Sequence, residues 1–372
     1  MRRTLAAFLF PLVTTCSSGG VDPPLFVGDL DATSIAIVNV NVVPMDQERV
    51  LQSQTVLIDN GRITALGSVS DMAPPATALV INGDGRYLLP GLIDMHVHIR
   101  SAELARYVDA GVTSVRNMWG YNELPAIMRD IDAGTRKGPR IFSLTAGFDA
   151  SPAQWPQTQL TDDPSLLAPL VDHQYELGFR EIKVYQKVSR AAYDTLVAIA
   201  KRKGMTFAGH MPPLVGLNHV LASGQRSIEH LGGYNVGSAL DAQITATLQA
   251  GTYICPTLAI QSELSSAARG ADLRTITGAM HARGVKILAG SDAGIDVTQP
   301  GTSIHEELEM LVRSGLTPFA ALLGATRTAA EYLGRTEEIG TIAVGKNADL
   351  VLVRANPLQD IKATRDIDAI IV

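Results

Sequence analysis

The feature that most constrains this chain is a repeated alternation, between residues 91 and 336, of short apolar strand-like runs with amphipathic helical stretches. Such a rhythm is the signature of βα units and a parallel sheet. Strands read at residues 92–98, 113–117, 140–144, 181–184, 206–210, 227–230, 252–259 and 286–292. Eight is the number that closes a (β/α)8 TIM barrel, an α/β fold. Between the strands, residues 191–203 place Leu196, Ile199 and Ala200 at helical spacing, and residues 304–314 do the same with Leu308, Leu311 and Val312.

The flanks differ in character. Residues 33–90 carry short β-rich runs separated by turn signals, with Asn60-Gly61 and Asp84-Gly85 as hairpin dipeptides. Residues 337–372 return to β character, and Gly345 and Asn347 mark a turn before 348–353. The expected organisation is therefore a barrel over residues 91–336 and a small β-sandwich domain assembled from 33–90 and 337–372. The extended run stops soon before Val372, where further β residues are expected.

Residues 1–20 read as a targeting segment: Arg2 and Arg3 precede an apolar run, 5–13, too short to span a bilayer. The competing reading is a buried N-terminal arm with an incidental thiol at Cys16. Cys16 and Cys255 are the only cysteines, which excludes a disulfide framework or a zinc knuckle. A net charge of −6 provides no global field for nucleic acid or anionic lipid, and 46% hydrophobic residues exclude a disordered chain. Function must reside in a local site, with a small molecule as partner. Oligomeric state is left open.

Polar residues stand at the C-terminal ends of the expected strands, where barrel active sites lie: His96, His98, Asn117, Lys183, His210, His230 and Asp292. Side chains two apart in a strand point the same way, so His96 and His98 can chelate one ion. The remaining histidines, His173, His219, His281 and His305, fall in expected helices or loops and take a structural reading. An ammonium beside a cation is repelled, so Lys183 must be neutral or modified. Burial favours the free amine, and carbon dioxide would convert it to an anionic carbamate. An exposed lysine paired with Glu181 is the alternative. Nitrogen and oxygen ligands without thiolate favour zinc, with manganese, cobalt or iron as substitutes.

The run Leu89-Pro90-Gly91-Leu92-Ile93-Asp94-Met95-His96-Val97-His98, followed by Lys183, His210, Ser227-Ile228-Glu229-His230 and Ala289-Gly290-Ser291-Asp292, resembles the amidohydrolase superfamily of binuclear metal enzymes. Within it, the chain looks closest to the imidazolonepropionase-like and Xaa-Pro dipeptidase-like branch. The resemblance implies that His96, His98 and Asp292 hold the more buried ion and His210 and His230 the more exposed one. Carbamylated Lys183 and a hydroxide would bridge them, with Asp292 as the catalytic proton carrier. It implies hydrolysis of an amide in a small substrate such as a dipeptide or N-acyl amino acid. A mononuclear deaminase, a cyclic-amide hydrolase, a lactone or organophosphate esterase and a barrel that only binds a ligand stay open. Arg100, Arg116, Tyr185 and Tyr234 are the candidate substrate contacts, with Phe148 and Trp155 as further wall residues. The segment ending at Cys16 also resembles a bacterial lipoprotein signal, although Thr15 stands where Gly or Ala is usual. That implies export to the periplasm or a lipid-anchored protein.

Overall fold

The computed structural model describes residues 25–26, 33–295 and 297–372; the expected leader and Cys16 lie outside them. The first strands are β1 (Leu25–Phe26), β2 (Ser34–Val42), β3 (Leu51–Asp59), β4 (Arg62–Ser68), β5 (Leu79–Asn82) and β6 (Tyr87–Pro90). Asn60 and Gly61, at φ 47° and 71°, close the antiparallel β3–β4 hairpin as expected. Asp84 and Gly85 also take positive φ, 46° and 74°, but make no hairpin. Both β5 and β6 run parallel to β2, one after the other along it, so the dipeptide forms a kink between them. The period-2 pattern identifies strands but is blind to which neighbour they choose.

Two tail strands complete this sheet. β16 (Leu350–Val353) lies antiparallel between β6 and β17 (Ile367–Ile371), so the C-terminal segment rejoins the opening one. Hydrogen bonds join all of these strands into one eight-stranded sheet, in the order β1-β17-β16-β6-β2-β3-β4 with β5 on β2. Ile37, Val42, Val56, Ile63, Leu88, Ile342, Leu350 and Leu352 form its shared apolar core.

The intervening region is TIM-barrel-like α/β. Its strands are β7 (Leu92–Val97), β8 (Val112–Asn117), β9 (Arg140–Ser143), β10 (Gly147–Asp149), β11 (Gln159–Leu160), β12 (Glu181–Val184), β13 (Thr206–Gly209), β14 (Ser227–Glu229) and β15 (Tyr253–Cys255). All pair in parallel, in two sets, β7-β8-β9 and β11-β10-β12-β13-β14-β15. Leu144 N donates to Asn117 O at 3.0 Å and Thr145 N to Glu181 O at 2.9 Å, which links the sets on one side. On the other, Leu288 N donates to Ile254 O at 2.8 Å and Met95 N to Ala289 O at 2.9 Å.

Segment 286–292 is therefore hydrogen-bonded to both β15 and β7, yet it is not the regular strand the sequence suggests. It makes one isolated bridge, Ile287 to Ile254, and at its end Asp292 sits at φ 57°, outside the extended region. The seventh strand is also shorter than expected: Thr257 at φ 50° ends it and opens the helix Leu258–Leu264. The short β10 and β11 were not expected at all. Helices Arg190–Lys203 and Ser303–Arg313 fall where periodicity puts them, the first capped by Ser189, whose side chain accepts from Ala192 N. His173, His219, His281 and His305 all lie in helices.

Candidate metal centre

The polar residues expected at the mouth arrive from several strand ends. His96 lies in β7 and His98 just beyond it; Lys183 is in β12; His210 follows β13 and His230 follows β14. The ring of His96 is 5.4 Å from that of His98 and 4.7 Å from that of His230, which is itself 4.7 Å from His210. Asp292 Oδ1 is 3.3 Å from His96 Nε2 and 3.0 Å from His98 Nε2, and Asp292 Oδ2 is 3.8 Å from His230 Nδ1. Donor atoms of His96, His98 and Asp292 lie within 4.8 Å of one another, a spacing that one ion can span.

The chemistry of these atoms fits a cation. His96 Nε2, Lys183 Nζ, His210 Nδ1 and Asp292 Oδ1 are buried and make no hydrogen bond. Polar atoms left dry in this way would each carry a desolvation cost that ligation removes. Burial drives His96 and His210 well below the usual imidazole range, which keeps them neutral and able to donate a lone pair. Burial lowers the Lys183 amine to about 8. Burial opposes ionisation of Asp292, but the imidazoles of His96, His98 and His230 outweigh it and hold the carboxylate far below its ordinary range.

A further layer fixes the ligand rings. His96 Nδ1 is 2.8 Å from Glu229 Oε2, which leaves Nε2 for the site. Glu229 accepts two bonds from Arg116, at 2.9 and 3.0 Å, and one from Ser227. His230 Nδ1 is 2.6 Å from Thr257 Oγ1. Asp94, buried and pushed up to about 7 by desolvation, accepts from Ser291 N at 2.9 Å and Oγ at 2.5 Å, tying β7 to the segment that carries Asp292.

Glu229 and Thr257 were not identified as site residues from sequence. Ser227 and Glu229, two apart, share the inward parity of β14, and that was the available signal. His230 follows at φ 61°, so two consecutive residues reach the same centre, which regular strand alternation forbids.

The structure corrects two expected substrate contacts. Arg116 is fully buried and spent on Met95 O, Ser227 Oγ and Glu229, so it braces the ligand shell beneath the centre. Tyr234 is also buried, its hydroxyl 2.8 Å from Thr247 Oγ1, and it does not line the cavity. Phe148 belongs to the core. Asn117 serves the scaffold, accepting from Ile99 N at 3.0 Å and donating to Ser143 Oγ at 2.9 Å. Cys255 is a buried free thiol pushed up by desolvation, as a small core residue would be.

Arg100 and Tyr185 do line the cavity of about 870 Å³ that opens over the centre, together with Trp119, Tyr121, Trp155 and Met211. Trp155 Nε1 donates to the Tyr185 hydroxyl at 2.8 Å, and Trp119 stands edge-on to the Tyr185 ring at 5.4 Å. The other face of this aromatic group meets the centre, since the Tyr185 and His210 rings are 4.2 Å apart.

Comparison with known proteins agrees with this architecture. An adenine deaminase from Nitratidesulfovibrio vulgaris is 27% identical over 340 residues, covering 86% of this chain and 54% of its own length. The chain thus spans about half the length of the curated deaminases it matches. Among solved structures, a Bifidobacterium longum protein named as a prolidase superposes with a TM-score of 0.80 at 24% identity, covering 92% of this chain and 93% of that one. A Xaa-Pro dipeptidase with bound methionine gives 0.77 at 22% identity, over 91% and 98% of the two chains. The sequence model of the amidohydrolase family matches residues 87–372, and the chain belongs to that family.

Proposed function

We propose that this protein is a metal-dependent hydrolase of a carbon–nitrogen amide bond in a small substrate, a dipeptide or an N-acyl amino acid. The observation that carries the reading is that His96, His98 and Asp292 bring donor atoms within 4.8 Å of one another beneath an open cavity, while His96 Nε2, Lys183 Nζ, His210 Nδ1 and Asp292 Oδ1 are buried without a hydrogen bond. In this reading residues 91–336 form a closed (β/α)8 barrel, and 33–90 with 337–372 form the companion β-sandwich. His96, His98 and Asp292 would hold one divalent ion and His210 and His230 a second, with Lys183, as its carbamate, supplying a further oxygen donor. Zinc suits these donors best, and manganese, cobalt or iron would also be accepted. When bound, the ions supply a nucleophilic water at neutral pH and polarise the substrate carbonyl.

The chain's own residues do the rest. Asp292 takes the proton of the attacking water and delivers it to the leaving nitrogen, the two halves of acid–base catalysis. Glu229 and Thr257 keep the His96 and His230 rings turned with one nitrogen toward the centre. Tyr185, within reach of His210, and Arg100 at the wall orient the substrate.

The test is metal content per chain on purified protein, repeated on Lys183→Ala. Close to two ions in the parent, with loss of metal and of amide hydrolysis in the variant, is the expected result. The deaminases among the relatives favour a second reading, a single-metal deamination. One ion per chain, unaffected by the substitution, with ammonia released from adenine, would establish that alternative. The leader reading belongs to the same proposal: export is checked by finding the protein in the periplasmic or membrane fraction.

A further inference from the structure

Glu307, in helix Ser303–Arg313, is a fully buried carboxyl on a helix that also buries Ile304, Leu308 and Leu311. Burying a carboxyl is costly, and an apolar residue would fill the position without that cost, so packing does not account for the acid. Its Oε2 accepts from Ala259 N at 2.7 Å, and its Oε1 makes no hydrogen bond. The acid is therefore spent on the start of another helix, Leu258–Leu264. Burial pushes the carboxyl up to about 8, against the pull of the Ala259 and Leu258 amides, so near neutral pH it offers an acceptor oxygen more than a charge.

That second helix begins in an irregular way. Thr257 is its N-cap, and the Thr257 carbonyl accepts the first helical bond, from Gln261 N at 3.1 Å. An N-cap threonine ordinarily turns its hydroxyl onto the amide of the second or third helical residue. The second here is Ala259, yet Thr257 makes no side-chain capping bond. Its hydroxyl stands 2.6 Å from His230 Nδ1 instead. The backbone agrees with this diversion. An N-cap is usually extended, whereas Thr257 sits at φ 50° and ψ 48°, a rare conformation for a β-branched residue that persists only where the surroundings hold it. The amide that Thr257 leaves open is the one that Glu307 occupies.

From this exchange of partners we infer that Glu307 is a positioning residue for the metal centre: by capping helix Leu258–Leu264 from outside, it frees the Thr257 hydroxyl to fix the ring of His230. Without Glu307 the Ala259 amide is buried and bare, and the Thr257 hydroxyl is the group placed to return to its ordinary role. His230 then loses the partner that sets which of its nitrogens faces the centre. The same helix carries Gln261 and Leu264 into the cavity lining, so the cap also sets where that wall stands. The consequence for metal rests on the two-ion reading above; the link from Glu307 to the His230 ring does not.

Zinc affinity, measured by chelator competition, reads the consequence. Glu307→Met keeps the length and removes the acceptor, and is expected to weaken binding about tenfold. Glu307→Gln keeps an acceptor oxygen and should stay within about twofold of the parent. Thr257→Val is the deciding background, because it leaves no hydroxyl to divert. There Glu307→Met should change zinc affinity by less than about twofold, while its cost in urea unfolding persists undiminished. Parent affinity in Glu307→Met, a second tenfold loss in the Thr257→Val background, or a Glu307→Gln variant as weak as Glu307→Met each overturns the inference. Should Glu307→Met not fold, Glu307→Asp, shorter by one methylene, carries the same expectations.

A second readout needs no metal. In metal-free protein with isotope-labelled histidine, NMR follows the His230 ring, assigned by its absence in His230→Asn. The ring is expected to keep one tautomer, protonated at Nδ1, in the parent and in Glu307→Gln, and to interconvert between tautomers in Glu307→Met as in Thr257→Val. His230 signals unchanged in Glu307→Met overturn the inference whether or not zinc binds. A parent that binds no zinc, with the ring behaving as expected, overturns only the metal reading beneath it.

Discussion

Glu229 does two jobs with one carboxylate: it fixes the His96 ring and neutralises the buried Arg116 guanidinium. Replacing it by Gln is expected to weaken metal affinity ~10–100-fold and to destabilise the fold by about 3–5 kcal/mol, since Arg116 would be left as an uncompensated buried charge. Chelator competition and urea unfolding read the two effects separately. Thr257→Val should behave differently. It removes the 2.6 Å partner of His230 Nδ1 while keeping the side-chain shape, so metal affinity should drop ~10-fold with little loss of stability, and Thr257→Ser should restore it. Equal unfolding midpoints but equal metal affinity in Thr257→Val would show that the hydroxyl does not orient the ring. The cluster of polar residues at the mouth was legible because histidine, lysine and aspartate at strand ends need only parity and position. Arg116 was misread because a guanidinium at a strand end looks the same whether it points at substrate or at a buried carboxylate, and only Glu229 across the interior decides between them.

Among elements, segment 286–292 shows how tightly the centre is framed. A Cβ built on Gly290 would stand 2.5 Å from Cys255 Sγ and 2.8 Å from His96 Cβ, so this residue lets the segment press against β7 and β15 together. Gly290→Ala should cost about 1–3 kcal/mol and lower metal occupancy, because the displaced neighbour is the strand carrying His96. Wild-type occupancy at unchanged stability would mean that the segment yields without disturbing the site. The same segment marks the limit of periodicity. An apolar run of the right length predicts a strand, but the left-handed Asp292 that breaks it has no signature in side-chain pattern. β12, by contrast, was placed residue for residue, since Glu181-Ile182-Lys183-Val184 alternates polar and apolar residues with the period of a strand. β10 escaped notice because three residues beginning with Gly147 carry too little alternation to register.

At the scale of the molecule, His305 fastens the tail to the α/β region: its Nδ1 is 3.0 Å from Thr364 Oγ1 and its Nε2 3.1 Å from Ala110 O. Burial depresses this imidazole to about 4, with Arg365 adding to the shift. A base with a depressed folded value is more readily protonated when unfolded, so its contribution is complete above the unfolded value near 6.5 and declines as pH falls toward 4. The whole effect is of order 3 kcal/mol. Urea unfolding of the metal-loaded protein should therefore show a smaller loss between pH 7.5 and 5 in His305→Gln than in the parent. Parallel curves would remove His305 as a source of acid sensitivity. The composite origin of the small sheet was legible, since β character at both ends of a helical region leaves little else for the tail to join.

That sheet sets an order of events during synthesis. β6 ends at Pro90 and its antiparallel neighbour β16 begins at Leu350, so the ribosome must deliver some 260 further residues before the pair can form. At ~5–20 residues per second this is a wait of roughly ten to fifty seconds. Throughout it, one edge of β6 has no strand beside it, and unpaired edges recruit other chains. The intervening α/β region thus emerges beside an open seam, which only the arrival of β16 can close.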